Sequence, residues 1–447
     1  MKHRLLINGG RLIDPSSGHD APTDLLIEEG CIAWLGTGAP PRRPDAILDA
    51  TGMVVAPGFV DLHCHLREPG FEEKETIATA TRAAARGGFT TVCAMPNTNP
   101  PSDSAAIIDF IKQKARAEGV VSVLPVGCIS KGRRGQELAE MASMAATGAV
   151  AFSDDGSPVS DPRLMRHALE YSLSFGLPIM EHAEDEALSR DGAMHEGEVS
   201  LRLGLRGIPA AAEEAAVARN ISLARLTGAR LHLCHISTAG AVEMIRRARE
   251  EGLQVTAEVT PHHLTLTHEQ VLASVPYDTS AKVNPPLRAP QDVRALIDGL
   301  RDGVIDAIAT DHAPHTAVDK LVEFDFAPPG ISGLETALGA LLALVHGGEI
   351  DLMTLLARLT IGPARIIGQS LGSLAVGLPA DVVLFDPTRE WVVDPATFSS
   401  KGRNTPLSGR ALHGKVMATM SQGVPAYRDE SVSLSLSGQT EPQRIRG

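Results

Sequence analysis

Gly58-Phe59-Val60-Asp61-Leu62-His63-Cys64-His65 is where the character of the chain changes. An apolar run over 59–64 passes through a polar loop into 75–86, where apolar residues return at helical spacing. The same order of strand, loop and helix then repeats to about residue 311. Such alternation builds a parallel sheet, because a parallel neighbour is reached only through a crossover long enough to hold a helix. Eight strands are expected, over 59–64, 90–95, 121–126, 149–153, 178–182, 230–235, 254–259 and 306–310. Helices over 75–86, 104–117, 162–174 and 239–250 fall between them. The fold class is α/β, and eight such strands close naturally into a (β/α)₈ TIM barrel over 57–369, with an open doubly wound sheet as the alternative.

Outward from this repeat the pattern is different. Short alternating segments broken by Gly, Pro and Asp read as strands over 4–8, 25–28, 31–35 and 53–56. Helical patterns continue over 333–367, and strand patterns return over 381–386, 391–393 and 411–421. Residues 1–56 and 370–427 are therefore expected to build one small β-sandwich-like domain from both chain ends. Residues 428–447, rich in Ser, Gln, Glu and Arg, read as a mobile tail.

The chain has 447 residues, 43% apolar and 21% charged, which suits a globular protein with a large core. Asp plus Glu outnumber Lys plus Arg by 54 to 41, a balance that repels phosphate backbones and anionic lipid and argues against nucleic acid and membrane as partners. Five scattered cysteines do not suit a disulfide framework and read as reduced thiols in a cytoplasmic protein. The opening MKHRLLINGGRLIDP lacks the apolar run of a signal peptide, and no stretch reaches the ~18 apolar residues of a membrane span.

His63 and His65 are two apart in extended chain, so both imidazoles point to one face and are placed to chelate one divalent ion. A solvated or hydrogen-bonded pair is the plain alternative. Barrel enzymes carry their chemistry at the C-terminal ends of the strands. Those ends supply Asp154 and Asp155 after the fourth strand, His182 at the fifth, His235 at the sixth and Asp311 after the eighth. Each alone has an ordinary role as a turn or a cap. Together they converge on one mouth, and they exceed what one tetrahedral zinc needs. Two cations bridged by a carboxylate and a hydroxide would use them all and supply a nucleophile for amide hydrolysis near neutral pH. His262 and His263 read as packing near the mouth, and His232, of opposite parity to His235, as packing between strand and helix. The charged, Pro-Gly-rich stretch 312–332 reads as a lid.

The run from Val55 to Gly70, VAPGFVDLHCHLREPG, strongly resembles the signature of the type I dihydroorotases of the amidohydrolase superfamily. Further matches are Met95-Pro-Asn-Thr98, Lys282-Val-Asn-Pro-Pro-Leu-Arg288, Ala309-Thr-Asp-His-Ala-Pro-His315 and Gly372-Ser-Leu-Ala-Val-Gly377. The resemblance implies a zinc-dependent cyclic amidohydrolase that interconverts dihydroorotate and carbamoyl aspartate in pyrimidine biosynthesis. It implies two Zn²⁺ per subunit, with His63 and His65 on the first, His182 and His235 on the second, and Asp311 as both ligand and general acid/base. Many relatives bridge the metals with a carboxylated lysine; 151–156 has none, and the family spacing points to Asp155, with hydroxide, as the bridge and to Asp154 as its neighbour. Lys131 is the other lysine near that strand and reads as a solvated loop residue.

By the same resemblance Arg67, Asn97 and His315 receive the ring carboxylate, and Asn284 with the Pro329-Gly330 backbone receives the ring. Pro329 departs from the pattern, since relatives often carry an aromatic residue there. A homo-oligomer and an association with aspartate transcarbamoylase are further implications. The rival readings are a hydantoinase or dihydropyrimidinase, which Arg67 and the missing lysine oppose, and an inactive scaffold for the transcarbamoylase, which the complete ligand set opposes.

Overall fold

A computed structural model describes residues 4–273 and 275–436. Phe59–Cys64 is a strand buried at every position, and it pairs in parallel with Phe89–Ala94, which pairs in parallel with Ser122–Pro125. Ile179–Glu181, Leu231–Leu233, Val255–Val259 and Ala307–Ile308 follow in the same parallel order. Two further links join these groups. Phe152 bridges Gly127 on one side and Ile179 on the other, and Cys64 bridges His312, so the last strand returns to the first.

The expected fourth strand, 149–153, is therefore a single bridged residue in an extended link. Its backbone is bonded on both sides, with Phe152 N–H on the Pro178 carbonyl and Ser153 N–H on the Gly127 carbonyl. Pro178 has no N–H to return, which cuts the ladder short on that side.

Helices occupy the crossovers, among them Ile77–Arg86, Ala105–Glu118, Pro162–Ser172, Ala210–Thr227, Ala239–Glu250 and Pro290–Arg301. The first begins where Thr76 and Thr79 cap one another's backbone N–H groups and buries Ile77, Ala80, Thr81 and Ala84 on one stripe. It stops at Gly87-Gly88: a Cβ on Gly87 would lie 2.2 Å from the Leu334 carbonyl oxygen, and Gly88 has φ +91°.

Both chain ends contribute to a pair of sheets. One has five strands in the order Leu434–Leu436, Ala46–Asp49, Arg4–Asn8, Asp24–Glu28, Cys31–Gly36. The other has six, Val424–Arg428, Ala411–Ser421, Val382–Val392, Val54–Pro57, Arg11–Asp14, His19–Pro22. Alternation along the central strands of the second sheet explains its place. Val55, Val382 and Leu384 meet Ile7, Leu25 and Leu48 of the first sheet in one core, while Val54, Val383 and Phe385 face Phe59, Ala85 and Phe89 in another. Val54–Pro57 then runs through Gly58 directly into Phe59–Cys64. The geometry of the sheets is thus transmitted to the strand that carries His63.

Two expectations are corrected here. Strands expected over 381–386 and 391–393 are one strand, Val382–Val392, whose register shifts between Asp386 and Glu390 without breaking the pairing with Ala411–Ser421. The tail expected from residue 428 contains a strand, Leu434–Leu436, paired antiparallel with 46–48, because the edge of Ala46–Asp49 offers it free backbone groups. Its remainder, 437–447, lies outside the described residues. Among the described residues no helix is long and apolar enough to cross a membrane.

Candidate active site

The polar residues expected at the strand ends meet at one place. Asp155 stands at its centre: Oδ1 lies 3.2 Å from His63 Nε2, 3.5 Å from His235 Nε2 and 3.6 Å from His182 Nδ1, and Oδ2 lies 3.6 Å from His65 Nε2. Asp311 Oδ1 is 3.0 Å from His65 Nε2 and 3.7 Å from His63 Nε2. Asp154 is turned away, its carboxylate accepting from the Ile129 and Ser130 amides and the Ser130 hydroxyl. Asp155 is fixed by its own backbone, which donates to Ser153 Oγ and accepts from Arg133.

Three residues at this place have backbones that L-residues seldom adopt: Arg67 at φ 62°, His235 at φ 34° and Asp311 at φ 46°. Such conformations persist only where the surroundings over-determine them, and they re-aim side chains that a regular strand would direct elsewhere. His235 therefore joins the cluster although its parity in the strand differs from that of His232.

Three of the four histidines, His63, His65 and His182, are oriented through their outer nitrogens. His63 Nδ1 is 2.9 Å from Glu258 Oε1, His65 Nδ1 is 2.8 Å from Asn97 Oδ1, and His182 Nε2 is 2.8 Å from Glu184 Oε2. Asn284 donates to the same Glu184 oxygen. Burial would raise the Glu258 carboxyl, yet His232 and His63 on either side hold it down to about 2. Burial opposes the charge of Asp155 as well, and the imidazoles around it keep it well below the usual carboxylate range. Both carboxylates are thus anions inside the protein.

His63 Nε2 and Asp155 Oδ1 are buried, close, and without a hydrogen bond. Orphaned donors and acceptors of this kind are rare in a folded interior unless something else engages them. Ligand atoms of His63, Asp155 and His235 lie within 4.8 Å of one another, as do those of His63, His65 and Asp311. Two overlapping sets of imidazole and carboxylate sharing His63 are the chemistry of a divalent-cation site. The residues present fit metal.

A cavity of about 190 Å³ opens over this cluster. It is lined by His65, Asp155, His182, His235 and Asp311 together with Arg67, Asn97, Asn284, His315, Pro329 and Gly330, while His63 lies beneath them. All the residues expected to hold a substrate therefore line the same cavity. Arg67 Nε donates to the Pro314 carbonyl at 3.2 Å, and its Nη2 is 3.4 Å from His315 Nε2, which also contacts the Pro329 carbonyl at 2.9 Å. Burial first, then the charges of Arg67, Lys320 and Lys74, push the His315 imidazole down to about 3, so it is neutral. Gly330 has to be glycine: at φ +145° a Cβ would sit 2.6 Å from the Ala313 carbonyl oxygen and 3.1 Å from His315 Nε2.

His232 is corrected: it lies under the cluster, between Thr256 Oγ1 and Glu258 Oε2, and not between strand and helix. His263 bonds Thr260 and the Pro285 carbonyl, and burial pushes the neighbouring His262 down to about 4. Lys131 pairs with Glu137 at the surface. Sequence reasoning missed Glu258, Glu184 and Arg133. Glu258 had a signal, a carboxylate inside the otherwise apolar and Thr-containing strand Val255–Val259, whereas Glu184 and Arg133 sit in loops with none.

Buried imidazoles and carboxylates gathered at the ends of parallel strands beside paired sheets can hold divalent cations for metal-assisted hydrolysis. The family model described as dihydro-orotase-like matches residues 52–241. A dihydroorotase of Anaeromyxobacter dehalogenans is 53% identical over 95% of this chain and 98% of its own length, and one of Pelotomaculum thermopropionicum is 52% identical over 96% and 100%. Among solved structures, the L-hydantoinase (dihydropyrimidinase) of Arthrobacter aurescens covers 96% of both chains at 25% identity with a TM-score of 0.86. The chain belongs to the dihydroorotase family.

Proposed function

We propose that the cavity performs the reversible hydrolysis of L-dihydroorotate to N-carbamoyl-L-aspartate, with the ring of parallel strands read as a (β/α)₈ barrel and the paired sheets as a β-sandwich. The observation that carries this reading is the single cavity shared by Arg67, Asn97 and His315 with Asp155 and Asp311. Arg67 presents a planar guanidinium, the fork that suits a carboxylate in bidentate fashion, and a neutral His315 and Asn97 add hydrogen bonds without charge. Asn284 and the Pro329-Gly330 backbone hold the ring, so that its amide carbonyl stays over Asp155 and Asp311. Asp311 takes a proton from the attacking water and delivers it to the departing ring nitrogen, and the ring C–N bond opens to a ureido group and a new carboxylate.

Two Zn²⁺ per subunit, held by His63, His65 and Asp311 and by His182 and His235 with Asp155 between, would supply Lewis acidity and an acidified water. Glu258, Asn97 and Glu184 keep the ligating nitrogens aimed. Five unpaired cysteines support a reducing, cytoplasmic location. A homo-oligomer and association with aspartate transcarbamoylase complete the proposal on family grounds.

Turnover of purified, zinc-supplemented protein on L-dihydroorotate, beside dihydrouracil and hydantoin, with metal counted on the same sample, tests it. Activity on dihydroorotate alone with two metals per chain is expected. Preference for hydantoin or dihydrouracil would overturn the substrate, and metal without turnover would favour the scaffold reading. Arg67→Ala should lower kcat/KM on dihydroorotate about a hundredfold, the worth of a charged hydrogen-bonded contact, while metal content stays unchanged.

A further inference from the structure

The segment that roofs the cavity after Asp311 is fastened by two buried ammonium groups. Lys320, closing the short helix Ala317–Lys320, donates to the carbonyls of Thr279 at 3.0 Å and Pro328 at 2.7 Å, and its own carbonyl accepts from the Thr279 hydroxyl. Lys282 donates to the carbonyls of Phe324 and Asp325, both at 2.9 Å, and its carbonyl accepts the Gly330 N–H at 2.8 Å. Each lysine is 9% exposed. The acceptors are all backbone carbonyls. Asp319, next to Lys320 in the chain, pairs with Lys74 and lies 3.8 Å from His315, and Asp278 caps the turn at Ser280.

A buried charge held by carbonyl dipoles alone is costly unless an opposite charge joins it. The two lysines differ in what they face. The charge of Lys320 opposes that of Arg67 and helps keep His315 neutral, whereas the charge that bears on Lys282 is Asp325. Cations therefore gather at the end of the cavity that holds Arg67 and His315, where Asp311, Asp155 and Asp319 are the carboxylates that favour the charge of Arg67.

We propose that Lys320 is a positioning and specificity residue for the anionic end of the substrate: its ammonium fastens the Pro328-Pro329-Gly330 wall and completes, with Arg67, a positive pocket whose counter-charge is the substrate's carboxylate. This rests on the reading that Arg67, Asn97 and His315 receive a carboxylate. It adds that the roof and the anion are coupled through one side chain.

The charged groups facing Lys320 are Lys282 and Arg67, which disfavour its charge, and Asp278 and Asp319, which favour it. Burial outweighs them all and brings the amine down to about 7. The sign follows directly: Lys320 is charged below about pH 7 and loses its charge above it. A carboxylate bound beside it restores the charge, so binding takes up a proton above that pH and affinity for the anionic ring falls as pH rises.

The test is kcat and KM for L-dihydroorotate at about pH 6.5 and about pH 8.5, between which the substrate carboxylate stays ionised. The chains are wild type, Lys320→Gln, Lys320→Arg and Lys282→Gln, with metal content, melting temperature and amide hydrogen exchange of 316–330 measured on each. Lys320→Gln should raise KM about tenfold at the lower pH with kcat within about threefold, consistent with loss of one charge near an anion. It should also abolish the rise of KM with pH. Lys320→Arg should keep a low KM and lose the pH dependence, because arginine does not deprotonate. Lys282→Gln should speed exchange in the roof and move the rise of KM to higher pH, because it removes a charge that disfavours that of Lys320.

A wild-type KM in Lys320→Gln, or a rise of KM with pH that Lys320→Gln leaves intact, overturns the proposal while leaving the dihydroorotate reading intact. If the wild-type chain does not turn over dihydroorotate, that reading falls instead. The fastening role is then judged by exchange alone, and unchanged protection of 316–330 in Lys320→Gln removes it.

Discussion

The strand-end cavity and the paired terminal sheets treat polar and apolar groups in opposite ways. In the sheets, ladder pairing joins Ala411–Ser421, Val382–Val392 and Val54–Pro57, and both faces of 54–57 and 382–385 are apolar and buried. In the cavity, buried nitrogen and oxygen atoms of His63 and Asp155 lack hydrogen bonds, carboxylates are held ionised, and Arg67, His235 and Asp311 have strained backbones. The sheets depart from regular geometry at register shifts and turns, whereas the cavity breaks several local rules within a few ångströms. Local violations concentrated at one place mark where the structure serves chemistry at the expense of stability.

If that division is right, substitutions should separate cleanly by region. The largest effect is expected from Asp311→Asn, which should leave folding and substrate affinity close to wild type and lower kcat about a thousandfold or more, within the range for loss of a positioned acid/base. Near-normal kcat would remove Asp311 from proton transfer. Next, Leu384→Ala in the shared core of the sheets should destabilise the protein by about 3 kcal/mol in urea unfolding, with kcat of the remaining folded protein unchanged. A matching loss of kcat would show that the two regions are coupled through Val54–Pro57 and the strand that follows it.

Glu258→Gln probes the border between chemistry and scaffold, since Glu258 touches His63 and not the cavity. It should weaken metal binding about tenfold or somewhat more in competition with a chelator, with little change in melting temperature of the metal-free protein. Unchanged metal affinity would reduce Glu258 to packing. The smallest effect concerns Glu335, which pairs with Arg86 at 3.2 Å and accepts from the Ser399 and Ser400 amides. Burial, opposed by Arg86, raises its carboxyl to about 7. A raised carboxyl stabilises the fold while protonated and loses that contribution as pH rises through about 7. Wild type should therefore lose on the order of 1 kcal/mol between about pH 6 and 7.5 relative to Glu335→Gln; parallel stability curves for the two would contradict it.

The alternation of apolar runs and helices was legible from one end of the parallel strands to the other, because it rests on local periodicity. Strand ends were legible too, and so the residues that now face one another around Asp155 were found from position and parity. What the residues alone left open or missed depended on partners distant in sequence. Asp154 and Asp155 are adjacent carboxylates, and only the capture of Asp154 by the amides of Ile129 and Ser130 separates them. His232 looked like a packing residue because its partner, Glu258, belongs to another strand. The weak fourth strand reflects a proline on its neighbour, and the strand Leu434–Leu436 reflects an open sheet edge almost four hundred residues away in sequence. Neither sign is carried by the segment itself.

That late strand has a topological consequence. Leu5 and Leu436 both register with Ala46, one on each side of it, so the two ends of the described chain lie two strand spacings apart, about 10 Å. A short peptide linker would close residues 4–436 into a covalent circle, removing loop entropy from the unfolded state without touching the cavity. Between residues 4 and 436 the backbone is in effect a nearly closed loop.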